Sequence, residues 1–520
     1  MKILLVEPRP TTSLFSFSEA TDITMRPGYM PNLALPTLAA LVPPQDEVTI
    51  VDESVEPLAP YLQHHWDIVG ITGYFTHQRR MFEIAEECRR QGLLVAIGGP
   101  FASLSPSRVR PYADVLFIGE AESTWPRFLE DFHTNRWQSE YREDGVVELS
   151  TSPLPAMHHL KNDAYLVGMV QTSRGCPFEC EFCDVIVYLS RKQRHKAPEQ
   201  IITELEQLYR LGYRTIFLSD DNFTAYRKKA REITQAIVRW NRENAEPVRF
   251  NTQLSIDVVR DPELLDLCAQ AGLKQAFVGI ETSDPSALRE VKKRQNVRPD
   301  LVADVHELHR RGIVVQAGMI TGFDSDTIDA FRTQYEFLQA AGIPVVLVNM
   351  LQAIDGTPLQ QRLAKEQRLS STVVDQALFT TNIVPKQMTT AQLFSGTQWL
   401  INKLYDPDNF LARVARLAAA FPATRQQGTI SPQFAHFWHN LLRSYGQLGP
   451  EFRDLPRRAV QLFRGKDTGP LGTALAFYKH AVRVLQKHSL WDPGLARRAC
   501  PEDEVSRTSE ALHTESAYRA

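Results

Sequence analysis

Cys176, Cys180 and Cys183 stand in one short run, RGCPFECEFCDV, with the spacing C-x3-C-x2-C. Three thiolates in so small a loop hold three irons of a cubane iron–sulfur cluster and leave the fourth iron without a protein ligand. A cluster that only carries electrons is normally closed by a fourth cysteine, so the open iron points to one that chelates a substrate. The same thiolates completed by His195 or Asp184 would suit zinc. Zinc sites, however, usually come as paired C-x2-C units, and a zinc reading leaves the strand pattern around the loop without a purpose.

That pattern is strand, loop and helix six times over from Met169, with apolar strands at 170–173, 215–218, 248–254, 275–279, 314–319 and 345–351. The helix after the cysteine loop has one apolar face (Ile201, Ile202, Leu205, Leu208, Tyr209) and a terminating Gly212. Six βα units make a partial barrel, and catalytic groups of parallel barrels sit at the carboxyl ends of strands. There the unusual polar residues fall: Asp220, Asp221 and Asn222 after the second strand, Glu281 after the fourth, Gly318 to Gly322 on the fifth, and Gln352 after the sixth. Each has a plainer reading as a helix cap or a turn, and only their recurrence at successive strand ends lifts them above it.

Residues 1–135 read as an open α/β domain. Apolar runs at 3–6, 48–51, 68–72, 93–97 and 115–118 alternate with helical patterns such as Met81, Phe82, Ile84, Ala85 and Cys88, which predicts a doubly wound parallel sheet. Its ligands belong beyond the strand ends, at Thr72, Gly73 and Tyr74, at Gly98 and Gly99, and at Gly119 and Glu120. No G-x-G-x-x-G follows a strand, which argues against a dinucleotide. Residues 136–165, with Pro153, Pro155, His158 and His159, read as a connector to a barrel spanning 166–365.

The cysteine run resembles the signature of the radical S-adenosylmethionine (SAM) enzymes, with Phe182 in its aromatic position. The resemblance implies a 4Fe-4S cluster whose open iron binds SAM and cleaves it to a 5′-deoxyadenosyl radical. It implies SAM contacts at Asp220, Asp221 and Asn222 for the amino group, at Glu281 for the ribose, and at Gly318 and Gly322 beside the adenine. An α/β domain ahead of such a loop resembles a cobalamin-binding domain, and the absence of D-x-H-x-x-G implies cobalamin without a protein histidine on cobalt. The set RGCPFECEFCDV, DDNF, GIET and NMLQAIDGTPL resembles the hopanoid methylases over residues 1–365. It implies a methyltransferase that moves a methyl group from methylcobalamin to an unactivated carbon of a hopanoid-like polycyclic lipid. Two alternatives stay open: a cobalamin-dependent cyclase or rearrangement enzyme without methyl transfer, and a cofactor-binding sensor without turnover. A low-potential donor such as ferredoxin or flavodoxin is the implied electron source.

Composition agrees with a large enzyme of a reducing compartment. The 520 residues are 43% hydrophobic and 23% charged, enough for two or three cores, and three of only six cysteines are in the cluster loop. Cys88 and Cys268 fall at helical spacing among apolar residues and read as core thiols. A net charge of −3 gives no reason to expect nucleic acid. Neither a signal segment nor a membrane span is legible, and a cytoplasmic protein is expected.

Residues 366–500 read as a helical domain. From Ser371 to Cys500 there are sixteen Lys and Arg against seven Asp and Glu, and a stripe of Leu471, Leu475, Tyr478, Val482 and Leu485 is flanked by Lys479, Arg483 and Lys487. A basic amphipathic helix of this kind can lie on an anionic membrane face or, as is more common, pack on the barrel with its basic side in solvent. Residues 501–520 read as a disordered acidic tail.

Overall fold

In β1 (Lys2–Glu7), Ile3 and Leu5 are buried against one apolar layer and Leu4 and Val6 against another. A strand apolar on both faces belongs in the middle of a parallel sheet with helices on either side. A computed structural model, describing residues 1–143, 145–372, 380–424 and 432–498, places it there. β1 lies between β2 (Glu47–Asp52) and β3 (Ile68–Thr72), followed by β4 (Val95–Gly98), β5 (Val115–Ile118) and β6 (Glu140–Arg142) in the order 2-1-3-4-5-6, all parallel. β6 is supplied by the stretch read as connector. Strand order reverses between β2-β1 and β3, which opens a crevice at the strand ends.

The second sheet is the partial barrel. It runs β7 (Gly168–Val170), β10 (Thr215–Leu218), β11 (Arg249–Gln253), β12 (Leu273–Glu281), β13 (Val314–Thr321) and β14 (Val345–Met350), each paired in parallel with the next. The expected first strand, 170–173, is in fact divided. β7 stops at Val170, and Ser173–Arg174 (β8) pairs antiparallel with Arg194–His195 (β9) across the cysteine loop. The cause is Asp220, whose carboxylate accepts the backbone N–H of Thr172 at 2.7 Å and of Ser173 at 2.9 Å in place of a ladder partner.

The helical region continues the barrel core. Tyr405 donates its hydroxyl to the Val346 carbonyl at 2.6 Å, and the buried Arg413 guanidinium donates to the carbonyls of Ile343 and Leu404 at 2.8 and 2.7 Å. In the helix Gly469–Lys487 the packed arrangement is the one found, and the stripe is not a membrane-facing surface. Leu471, Leu475, Tyr478, Val482 and Leu485 are all buried, and so is Lys479. The basic flank meets carboxylates of an arm near the start of the chain: Lys479 and Arg483 (3.4 Å) pair with Asp22, and Lys487 pairs with Glu19 at 3.0 Å. His480 donates from Nε2 to the Ser13 carbonyl at 3.0 Å and accepts the Glu19 N–H at Nδ1 at 3.2 Å. The stripe is core, and its cations are spent within the fold. Among the described residues no helix is long and apolar enough to cross a membrane. Cys88 and Cys268 are core thiols, whereas Cys500 and residues 501–520 lie outside the described residues.

Gly396, in the helix Thr390–Tyr405, has no room for a methyl group, since a Cβ would lie 2.1–2.4 Å from three atoms of the buried Phe331 ring. Gly396→Ala gains about 1 kcal/mol of helix propensity and loses about 1–3 kcal/mol to overpacking. With a ring that cannot withdraw, loss is the expected net result, seen as a lower thermal midpoint by circular dichroism.

Candidate functional site

Gly175 sets the geometry of the cysteine loop. Its φ of +87° is open to glycine at little cost, and a Cβ there would fall 2.7–3.1 Å from the carbonyls of Lys192, Ser190 and Leu189. Its N–H donates to Asp221 at 2.8 Å. Beyond it, the Cys183 N–H donates to the Cys180 carbonyl at 3.1 Å, and the Glu181 N–H donates to Val291 at 2.9 Å. Glu181 also pairs with Arg362 at 2.8 Å, and Arg362 with Asp324 at 2.7 Å, which ties the loop to the end of β13 and to the helix Pro358–Lys365.

The three thiols share this loop. Burial pushes the Cys176 thiol up to about 11, with Cys180 and Asp221 adding to the shift, and burial with Asp184, Cys180 and Cys176 holds Cys183 well above its ordinary range. Burial disfavours the thiolate form of Cys176 and Cys183, and a cationic centre is what would favour it. Each candidate for a fourth zinc ligand has a neighbour of its own. Tyr74 donates its hydroxyl to Asp184, while His195 sits beside Tyr226 with ring centroids 5.8 Å apart.

The strand-end residues divide into two groups. Asp220 and Asn222, expected at the ammonium, hold loops together in this structure. Asp220 is filled by Thr172 and Ser173, and Asn222 donates to Ser255 Oγ at 2.6 Å and accepts the Ser255 N–H at 3.3 Å. Gln352 likewise donates to Thr380. Asp221, raised by burial to about 7, has one oxygen on Gly175. Glu281 ends β12 with φ +67°, a conformation rare for such a residue, and its carboxylate meets the Lys293 ammonium. Lys293 Nζ also lies 5.6 Å from the centroid of the Phe182 ring, and Gln295 donates to Cys180 Sγ at 3.4 Å. Gly318 lies against the Phe277 ring, and Gly322, with φ +99°, donates its N–H to Asp326 at 2.8 Å.

At the crevice of the first sheet is a cavity of about 300 Å³. Thr72, Gly98, Gly99, Gly119 and Glu120 line it, together with apolar Leu5, Ile71, Phe117 and Trp125. Gly73 and Tyr74 do not. Gly73 packs on His77, and Tyr74 leaves the crevice to reach Asp184 beside the cysteines. The far wall belongs to the barrel: Gln171, Arg174, Tyr188 and Ser219, which no strand-end argument about one domain could find. Glu120 joins the two walls, bonded to Arg174 at 2.8 Å and to Arg194 at 2.6 Å, with Glu122 on Arg174 at 2.5 Å. Trp125 Nε1 is buried and without a partner, a donor left for whatever fills the cavity.

Comparison with known proteins fits this layout. Residues 170–338 match the family model described as the radical SAM superfamily, and residues 357–453 match a domain of unknown function, DUF4070. An uncharacterized methyltransferase of Synechocystis, sll1242, is 35% identical over 79% of this chain and 78% of its own length. The hopanoid C-2 methylase of Rhodopseudomonas palustris is 32% identical over 71% of each chain. The chain belongs to the radical SAM methyltransferases. Membership brings with it the 4Fe-4S cluster and SAM that the cysteine loop implies. The overall fold is that of a cobalamin-dependent SAM radical enzyme, OxsB, whose structure with aqua-cobalamin bound matches 94% of this chain and 80% of that one at a TM-score of 0.60 and 15% identity.

Gly175→Ala is expected to cost about 1–2 kcal/mol for the left-handed backbone alone, before the clash with three carbonyls. Iron and sulfide per chain after anaerobic reconstitution should fall below wild type, while far-ultraviolet circular dichroism is retained.

Proposed function

We propose that this protein methylates an unactivated carbon of a hopanoid-like polycyclic lipid, with cobalamin in the crevice of the first sheet. One observation carries the reading: the carboxyl ends of the two sheets face each other across a single cavity, so a ligand on the glycines of one reaches the cysteine-loop side of the other. Bound together, the cluster and SAM supply a hydrogen-abstracting primary radical, and cobalamin supplies the methyl group. The 32% identity with the hopanoid C-2 methylase supports the lipid class.

The residues fit these groups. Cys176, Cys180 and Cys183 would hold the cluster, with Phe182 and Lys293 against it. Glu281, Asp221 and the backbone of Gly318 to Gly322 are the groups left to meet SAM once Asp220 and Asn222 are assigned to bracing. A broad, flat corrin with an amide rim needs small residues beneath it and polar partners at its edge. Gly98, Gly99 and Gly119 supply the first, and Thr72, Trp125 Nε1, Gln171 and Glu120 the second. The tie from Tyr74 to Asp184 fixes the crevice against the cysteine loop, and the Glu120 pairs close its edge to water. A saturated carbon has no proton that a side-chain base could take, so positioning and the exclusion of water are what the protein contributes.

The test is anaerobic: reconstituted protein, hydroxocobalamin, a low-potential reductant, SAM and a desmethyl hopanoid. Deoxyadenosine and S-adenosylhomocysteine should appear in similar amounts, with a lipid about 14 mass units heavier, as expected when a methyl group replaces hydrogen. Deoxyadenosine without S-adenosylhomocysteine would instead select the non-methylating alternative.

A further inference from the structure

The run Arg289 to Gln295 has two sides. On the inner side, Val291 is buried and accepts the Glu181 N–H from the middle of the cysteine loop, Lys293 is paired with Glu281, and Gln295 donates to Cys180 Sγ. Glu290 is only partly exposed, with one carboxyl oxygen buried. On the outer side, Arg289, Lys292 and Arg294 are exposed. Lys292 takes a left-handed φ of +59°, the local turn between an outward lysine and an inward one.

None of these three cations has an ion-pair partner among the described residues. Exposed cations elsewhere on the barrel are commonly paired, as Arg191 is with Glu179 at 2.6 Å, Lys192 with Glu148 at 2.9 Å and Arg310 with Glu307. Three unpaired positive charges within six residues make a local field in a chain whose net charge is −3. That field stands directly over the segment that touches a cluster ligand.

We propose that Arg289, Lys292 and Arg294 form the docking surface for an acidic, low-potential one-electron carrier protein. The proposal rests on the radical SAM assignment and adds the place where the electron enters. The reduced carrier is oxidised by one electron, and the cluster at Cys176, Cys180 and Cys183 is reduced by one. The side chain of Gln295 bridges from the docking segment to Cys180. Complementary charge at such a surface steers the encounter and selects the partner, while the affinity it adds is modest and sensitive to salt.

The experiment uses the full-length, cluster-reconstituted protein and oxidised flavodoxin as probe, with binding read by isothermal titration calorimetry at several salt concentrations. The triple variant R289E/K292E/R294E should weaken Kd by about tenfold to a hundredfold and flatten its salt dependence. Deoxyadenosine formation driven by a chemical reductant should stay at the wild-type rate. An unchanged Kd and salt slope overturn the proposal, as does wild-type protein that binds anionic phosphatidylglycerol vesicles through this face and not flavodoxin. If the triple variant loses the cluster's visible absorption, Lys292→Gln decides in its place, and a Kd equal to wild type refutes the site. Wild-type protein that fails to cleave SAM with the chemical reductant would instead strike at the radical SAM assignment, an outcome separate from binding.

Discussion

The molecule is organised around a buried carboxylate held by two arginines. Glu120 leaves the end of β5 and meets Arg174 on β8 and Arg194 on β9, the two short strands that bracket the cysteine loop. Charges so far out of water need one another, and removing one leaves the rest uncompensated at a cost of several kcal/mol, about 3–5 for a buried pair. The crevice of the first sheet and the loop of the second are therefore set at a fixed separation. Tyr74 on Asp184 repeats the connection on the other side of the loop. Cofactor chemistry between two domains depends on that separation more than on any single side chain of either.

Much of this was legible in the sequence because it follows from short-range rules. Cysteine spacing announced the cluster, alternation of apolar runs announced both sheets, and Thr72, Gly98, Gly99, Gly119 and Glu120 all line the crevice where strand ends placed them. The failures come from partners distant in the chain. Residues 170–173 have the composition of one strand, and nothing local reveals that Asp220, 48 residues from Thr172, takes the N–H groups that would continue it. Asp220 itself carried the signal of a ligand contact, a carboxylate at a strand end, and that signal is the same whether its oxygens meet a ligand or a neighbouring backbone. Tyr74 follows Thr72 and Gly73 from the same strand end, yet the turn Phe75–His77 carries it out of the crevice.

The helix Gly469–Lys487 has two readings in the sequence for the same reason. An apolar stripe with lysines beside it is ambiguous between a surface helix and a buried one, and the deciding carboxylates, Glu19 and Asp22, are more than 450 residues away in sequence. Lys293 and Gln295 gave no signal at all, since a lysine and a glutamine after a helix are ordinary until Glu281 and Cys180 are brought to them.

The arm that clasps this helix joins two segments more than 450 residues apart. Ser13, Phe17, Glu19 and Asp22 find His480, Lys479, Arg483 and Lys487 only after the whole barrel has been made, so during synthesis the arm waits while nearly everything else folds. Contacts of such sequence separation are the slowest to close. The buried Lys479 ammonium makes the closure strict, for without Asp22 it would be a lone charge in an apolar helix bundle. A polypeptide lacking this helix would leave the arm undocked, with Glu19 and Asp22 deprived of their cations.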